Sequence, residues 1–236
     1  MLSVDWASVA RPIAHILIGL ALGNWALGAL AFESVRAQEI RECRNGELAT
    51  WGDGQDRPAI GSTLSFTYNP ADAPGWFPET LVAGMVAKAA AAWSQCGVGS
   101  HVLAWAGTAK QAPGVIVVDW SEQGSGGNFG LANLGRRTLS LGPKAFELLR
   151  TRNPAHDARE TLQMVISHEM GHMFGLMAHS RRCVDVLSYY HNGKGEKCYS
   201  RDPMQMRNFA EYRHVLPTAC DIARCRQANG KPPLPR

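Results

Sequence analysis

No dense stripe of lysine and arginine interleaved with aromatic residues occurs in these 236 residues, and the net charge is only +4. A nucleic-acid groove needs such a stripe, so nucleic acid is set aside as a partner and the mild basicity reads as a solvated surface. The chain also lacks an internal repeat. Its glycine-rich stretch, residues 121–127, has no Lys-Ser/Thr pair of a phosphate loop and opens no dinucleotide-binding helix, so it reads as a surface loop. Calcium is an option that no clean loop motif supports.

Residues 13–31 form one long apolar run, preceded by Arg11 and followed by small residues, the pattern of a secretory leader. The preferred cut follows Ala37, after Val35-Arg36-Ala37. Ala29-Leu30-Ala31 fits the small-x-small rule more strictly but lies inside the greasy stretch. The competing reading is an uncleaved anchor, since the run almost reaches across a bilayer core of about 30 Å; His15, Asn24 and several glycines weaken that span. Residues 1–37 are therefore expected to be a leader and 38–236 one globular domain. Hydrophobic residues make up 45% of the chain, enough for a sizeable core. The mature chain is expected to be a secreted or periplasmic monomer without stable membrane association.

All six cysteines lie beyond the leader, which in an exported chain reads as disulfides. Because short loops close most readily, the expected bridges are Cys183–Cys198 and Cys220–Cys225, leaving Cys43 to pair with Cys96.

Along the chain, residues 62–68 alternate polar and apolar like a half-buried strand. Pro78 and Glu79 suit the first turn of a helix in which Leu81, Met85, Ala89 and Trp93 recur at i+4, and Gly97 can end it. Residues 102–105 and 115–120 are strand candidates, the second central because it is so apolar. Residues 129–133 and 137–141 are two more, and Pro143 opens another helical turn. Asp157 with Glu160 resembles a capping box, starting a helix through Leu162, Ile166 and Met170 toward Gly175. The expected fold is α/β or α+β, followed by a weakly patterned, cysteine-rich tail.

That last helix carries His168-Glu169-Met170-Gly171-His172, the H-E-x-x-H pattern. Histidines at i and i+4 lie on one helix face, so two imidazoles can reach one Zn²⁺ at about 2.0–2.1 Å. Glu169, one residue round, is placed to take a proton from metal-bound water. Catalytic zinc usually takes three protein ligands. Gly175 can end the helix with positive φ and turn the chain back, which makes His179 the third candidate.

With these residues in view, the sequence resembles the metzincin clan of zinc metallopeptidases, and within it the matrixin-like bacterial enzymes, whose pattern is H-E-x-x-H-x-x-G-x-x-H followed by a turn containing Met. Two departures stand out. The third histidine falls one residue late, with Ala178 in the usual slot. In the segment Asp185-Val186-Leu187-Ser188-Tyr189-Tyr190, Leu187 replaces the methionine that floors the metal in relatives. Leucine and methionine have similar volumes, so that swap should cost under about 1.5 kcal/mol. Met204 is the alternative floor residue. The resemblance implies a twisted, mostly parallel sheet with an antiparallel edge strand, a long backing helix and an active-site helix. It further implies one catalytic zinc on His168, His172 and His179, with Glu169 as general base and Tyr189 near the reacting carbonyl. Finally, it implies a polypeptide substrate that pairs with the strand around residues 129–132.

Several rivals remain beside this reading. His191, Glu196 or Glu211 could supply the third ligand instead of His179. The thiolate of Cys43 could plug the metal in a latent form. A relative without activity could bind peptides or a partner protein in the same cleft, though such a protein has no need of Glu169.

Overall fold

The computed structural model describes residues 33–107 and 112–234. The apolar run 13–31, and with it the choice between leader and anchor, lies outside the described residues. Among the described residues, no helix is long and apolar enough to cross a membrane.

The body is a five-stranded sheet with helices against it. The strands are β1 (Thr63–Tyr68), β2 (Gly99–Leu103), β3 (Ile116–Trp120), β4 (Gly130–Asn133) and β5 (Thr138–Leu141), in the order β2-β1-β3-β5-β4. The pairs β1/β2, β1/β3 and β3/β5 are parallel, while β4 runs antiparallel to β5 at the edge. The chain is thus α/β with a mostly parallel sheet and an antiparallel edge strand. β3 is central, as its apolar sequence predicts, and its side chains Ile116, Val118 and Trp120 are buried.

Seven helices lie among the described residues: α1 (Val35–Arg41), α2 (Glu79–Ser94), α3 (Glu122–Ser125), α4 (Pro143–Arg152), α5 (Ala158–Met173), α6 (Pro203–Met206) and α7 (Ala219–Ala228). α2 and α5 pack on each other, α2 also covering β1 and β2, and α5 covering β4 and β5. The buried face of α2 is Val82, Val86, Ala89, Ala90 and Trp93; Leu81 and Met85, expected inward, are only half-buried. The inward stripe follows the i, i+4, i+7, i+8, i+11 rhythm of a broad core-facing helix, not one row at i+4. Each fully buried Val, Leu or Phe contributes roughly 1.5–3 kcal/mol, so this core holds the body together. Trp93 is its centre: the ring stacks on Phe174 at 5.8 Å and its indole N–H donates to the Ser167 carbonyl of α5 at 2.8 Å.

Two local expectations change. The stretch 121–127 contains the short helix α3, because the Ser121 hydroxyl accepts from Gly124 N–H as an N-cap and Gly126 takes φ +60 to end it. Asp157 caps α5 by accepting from Arg159 N–H at 3.0 Å, but Glu160 does not reach back, so the reciprocal half of the capping box is missing.

The disulfides are Cys183–Cys198, as expected, with Cys43–Cys220 and Cys96–Cys225 in place of the other two expected pairs. The reason is α7. Cys220 and Cys225 both lie on it, and five residues along an α-helix separate two side chains by a rise of about 7.5 Å and place them on different faces. They cannot meet at the Cα spacing a disulfide needs. Each reaches outward instead, Cys220 to the segment after α1 and Cys225 to the end of α2. No free cysteine exists among the described residues, so Cys43 is not a metal-plugging thiolate. Bridges of this kind form in oxidising compartments.

The expected cut after Ala37 falls inside α1. Ser34 caps this helix by accepting from Ala37 N–H, and Arg36 donates to the carbonyls of Tyr212 at 3.0 Å and Arg213 at 2.9 Å. Glu39 is fully buried and accepts from the Tyr212 hydroxyl at 2.6 Å and Arg201 N–H at 2.8 Å. A chain beginning at Gln38 would lose the cap and both Arg36 bonds.

Candidate metal site

His168 and His172 stand one turn apart on α5, which ends where Gly175, at φ +103, closes a Schellman turn. Gly175 N–H bonds the His172 carbonyl at 3.1 Å and Leu176 N–H bonds the Gly171 carbonyl at 3.1 Å. The chain then turns back and brings His179 to the other two. Each of the three offers one ring nitrogen, and these atoms lie within 4.8 Å of one another.

The one-residue-longer connection is held by a strap, residues 51–57, that sequence inspection leaves as featureless loop. Asp56 Oδ1 accepts from the N–H groups of Met177 at 2.9 Å and Ala178 at 3.0 Å. Asp53 Oδ1 accepts from His179 N–H at 2.9 Å, and Trp51 N–H donates to the His179 carbonyl at 2.9 Å. Arg224 clamps the back by pairing with Asp56 and donating to the Ala178 carbonyl at 2.6 Å.

Hydrogen bonds fix the tautomers. The Nδ1 of His168 faces the Val186 carbonyl at 2.7 Å, that of His172 the Leu176 carbonyl at 2.6 Å, and that of His179 the Asp53 carboxylate at 2.7 Å. All three partners are acceptors, so each Nδ1 carries the proton and each Nε2 keeps a lone pair. Burial lowers the pKa of His168 well below the usual imidazole range, that of His172 to about 4 and that of His179 in the same direction, which keeps the rings neutral. His168 Nε2 and His179 Nε2 consequently face each other, lone pair to lone pair, at 3.2 Å. Two nitrogens bound to one tetrahedral ion at about 2.0–2.1 Å would sit about 3.3 Å apart. The donor set therefore fits a divalent cation: His168, His172 and His179 could hold one.

Glu169 points into the same cleft. Its Oε2 accepts from the Ala132 N–H of β4 at 2.8 Å, and burial pushes the carboxyl up to about 7 against that bond. β4 comes this close because Gly130 has no side chain: a Cβ there would lie 2.5 Å from Val165 and 2.9 Å from Glu169. The cleft, of about 510 Å³, is lined further by Leu131, Met164, Tyr189 and Arg213. The Tyr189 ring stacks on His179 at 3.8 Å.

Leu187 is the residue expected at the floor. It is fully buried and packs against Gly171, where a Cβ would lie 2.5 Å from its Cδ2. Met204, the alternative floor residue, is 66% exposed. The rival third ligands stand apart from the cluster. His191 pairs with Lys197 in an isolated bridge, Glu196 accepts from Asn192 at 2.5 Å, and Glu211 is engaged by Arg213 and Tyr190. Asp53, Asp56 and Arg213 escaped the sequence reading; the only trace of the first two was the Gly/Asp-rich opening after residue 50.

No protein-family model matches the chain, and no curated protein does. Among solved structures it is similar to one described as the GM1 bound form of the ECX AB5 holotoxin, at 13% identity over 75% of this chain and 87% of that one, with a TM-score of 0.45. A likeness of that size carries no argument about fold or activity.

Proposed function

We propose that this chain is an exported zinc-dependent endopeptidase of the metzincin type, matrixin-like, acting on polypeptides as a monomer. One observation carries the reading: three Nε2 lone pairs converge in a cleft that also holds the Glu169 carboxylate and the edge strand β4. Zinc held by His168, His172 and His179 would supply Lewis acidity toward a peptide carbonyl and lower the pKa of water toward about 7.

The chain's own residues then have distinct tasks. Glu169 takes a proton from the attacking water and returns it to the leaving amine. The Ala132 N–H holds that carboxylate in place between the two transfers. β4, an edge strand paired on its β5 side alone among the described residues, offers backbone groups to an extended substrate. Tyr189, whose ring stacks on His179, would offer its hydroxyl to the reacting carbonyl. The leader alternative that ends at Ala31 leaves α1 whole, and we propose it over the cut after Ala37, with the mature chain secreted or periplasmic.

The test is Glu169→Gln in the purified chain, with zinc content and peptide cleavage measured together. One equivalent of zinc should remain while turnover falls by about 10²–10⁴-fold. Retained turnover would overturn the mechanism, and a wild-type chain that takes up no zinc would overturn the site.

A further inference from the structure

The three histidines differ in what holds their Nδ1. For His168 and His172 the acceptor is a neutral backbone carbonyl, whereas for His179 it is the Asp53 carboxylate. Asp53 uses both oxygens on one residue: Oδ1 takes the His179 backbone N–H at 2.9 Å and Oδ2 the ring Nδ1 at 2.7 Å. It is delivered by a close-fitting strap. Gly52 takes φ +69, and Gly54 lies so near the Met177 carbonyl that a Cβ would collide with it. His179 also sits on a loop, outside the helix that fixes the other two rings.

We infer that Asp53 is the positioning residue for the third metal ligand, setting both the tautomer and the donor strength of His179. The inference rests on the metal-site reading above. Asp53 touches neither metal nor substrate and acts only through His179. A carboxylate accepting from Nδ1–H draws the proton toward itself and makes Nε2 a stronger donor, more so than a carbonyl does. It also excludes the Nε2–H tautomer, which has no lone pair to offer a metal. The residue that sets the third histidine thus lies 126 positions upstream, in a loop with no motif of its own.

Asparagine is the informative substitution. Its carboxamide has one oxygen and one NH₂. If the oxygen stays on the His179 backbone N–H, the NH₂ faces Nδ1 and forces the proton onto Nε2. Alanine imposes no such demand, because water can accept from Nδ1–H. The expected order of Zn²⁺ affinity, read by competition with a chromophoric chelator, is wild type, then Asp53→Glu, then Asp53→Ala, then Asp53→Asn. Alanine should lose about 10–100-fold. Asparagine should lose more.

Proton–nitrogen correlation spectra of the metal-free protein report the tautomer directly and do not depend on activity. His179 should carry its proton on Nδ1 in the wild type and on Nε2 in Asp53→Asn. Asp53→Ala or Asp53→Asn binding zinc within threefold of wild type, or an Nδ1–H His179 in Asp53→Asn, would overturn the role of Asp53. A wild-type chain that binds no zinc would instead overturn the metal site itself, so the two failures are distinguishable. If Asp53→Ala unfolds, the asparagine and glutamate variants still decide the matter, since both keep an oxygen for the backbone N–H.

Discussion

His168 and His172 stand on a helix packed into an apolar core, whereas His179 stands on a loop held by buried charges and disulfides. On α5 the apolar side chains are Leu162, Ile166 and Met170, packed with Trp93 of α2, all fully buried. Around the loop they are Arg182, Asp185, Thr218, Asp221 and Arg224, also buried. Arg182 donates to Asp185 at 2.8 Å, Thr218 donates to the same carboxylate at 2.6 Å, and Ser180 to its other oxygen at 2.6 Å. Two segments that need a fixed backbone thus obtain it differently. A helix satisfies its own backbone and can rest on oil. A loop must find partners for each carbonyl and N–H, and buried side chains with several donors or acceptors supply them.

The largest effects should come from the two long-range bridges, Cys43–Cys220, 177 residues apart, and Cys96–Cys225, which ties the two regions. Cys96 lies just after α2 and Cys225 on α7, 129 residues apart in sequence. Closing a loop of that length removes about 5 kcal/mol of unfolded-state freedom, against about 3 kcal/mol for the 15-residue loop of Cys183–Cys198. Paired alanine substitutions at each bridge, compared by denaturant midpoint, should follow that order. The reverse order would mean that the local bridge holds the His179 region more firmly than chain entropy implies.

Next come two substitutions that should separate the regions. Trp93→Ala removes the centre of the apolar body and its bond to Ser167, at a cost of about 3–5 kcal/mol. It should loosen sheet and α5 together, with zinc lost only as the fold is lost. Arg182→Ala removes the buried donor shared by the Asp185 carboxyl and the Glu39 carbonyl and leaves these acceptors unmatched, also costing about 3–5 kcal/mol. Here hydrogen exchange should accelerate in residues 180–190 while β3 and β5 stay protected, and zinc affinity should fall below the unfolding threshold. Uniform acceleration across the sheet in both variants would erase the distinction.

The same contrast decides what could be read from the sequence. Elements built on periodicity were legible: β1, α2, β3, β4, β5 and α5 lie within a few residues of their sequence signals, and with them His168, Glu169 and His172. Local spacing also carried His179, because Gly175 announces the turn. What escaped depends on contacts between distant segments. Asp53 and Asp56 bond residues more than 120 positions away, and such pairings leave no pattern in a single chain. Two of the three expected cysteine pairs differ for a related reason: loop-closure entropy favours near neighbours, which holds for Cys183–Cys198, but α7 turns Cys220 and Cys225 to different faces. α1 was hidden by the leader signal that overlaps it.

The smallest expected effect sharpens the comparison through pH. Glu47 accepts from Arg201 Nε and Nη2 at 2.8 Å each and from Arg44 N–H at 2.8 Å, with Arg182 at 3.7 Å. Burial pushes its pKa up, but these bonds and charges outweigh it and hold the carboxyl down at about 2. An unfolded glutamate titrates near about 4.3. The folded value is the lower one, so the contribution of Glu47 is complete above the unfolded pKa and is lost as pH falls from there toward 2. The stability gap between wild type and Glu47→Gln should accordingly be flat above pH 5 and shrink on acidification. Taking the difference with the glutamine variant isolates Glu47 from Asp185, which burial and the neighbouring Asp221 push up and which titrates in the opposite sense. The gap for Trp93→Ala, an apolar loss, should be the same at either pH. A Glu47→Gln gap equally insensitive to acid would mean that this glutamate contributes by shape and not by charge, and the polar region would then resemble the apolar one more than its residues suggest.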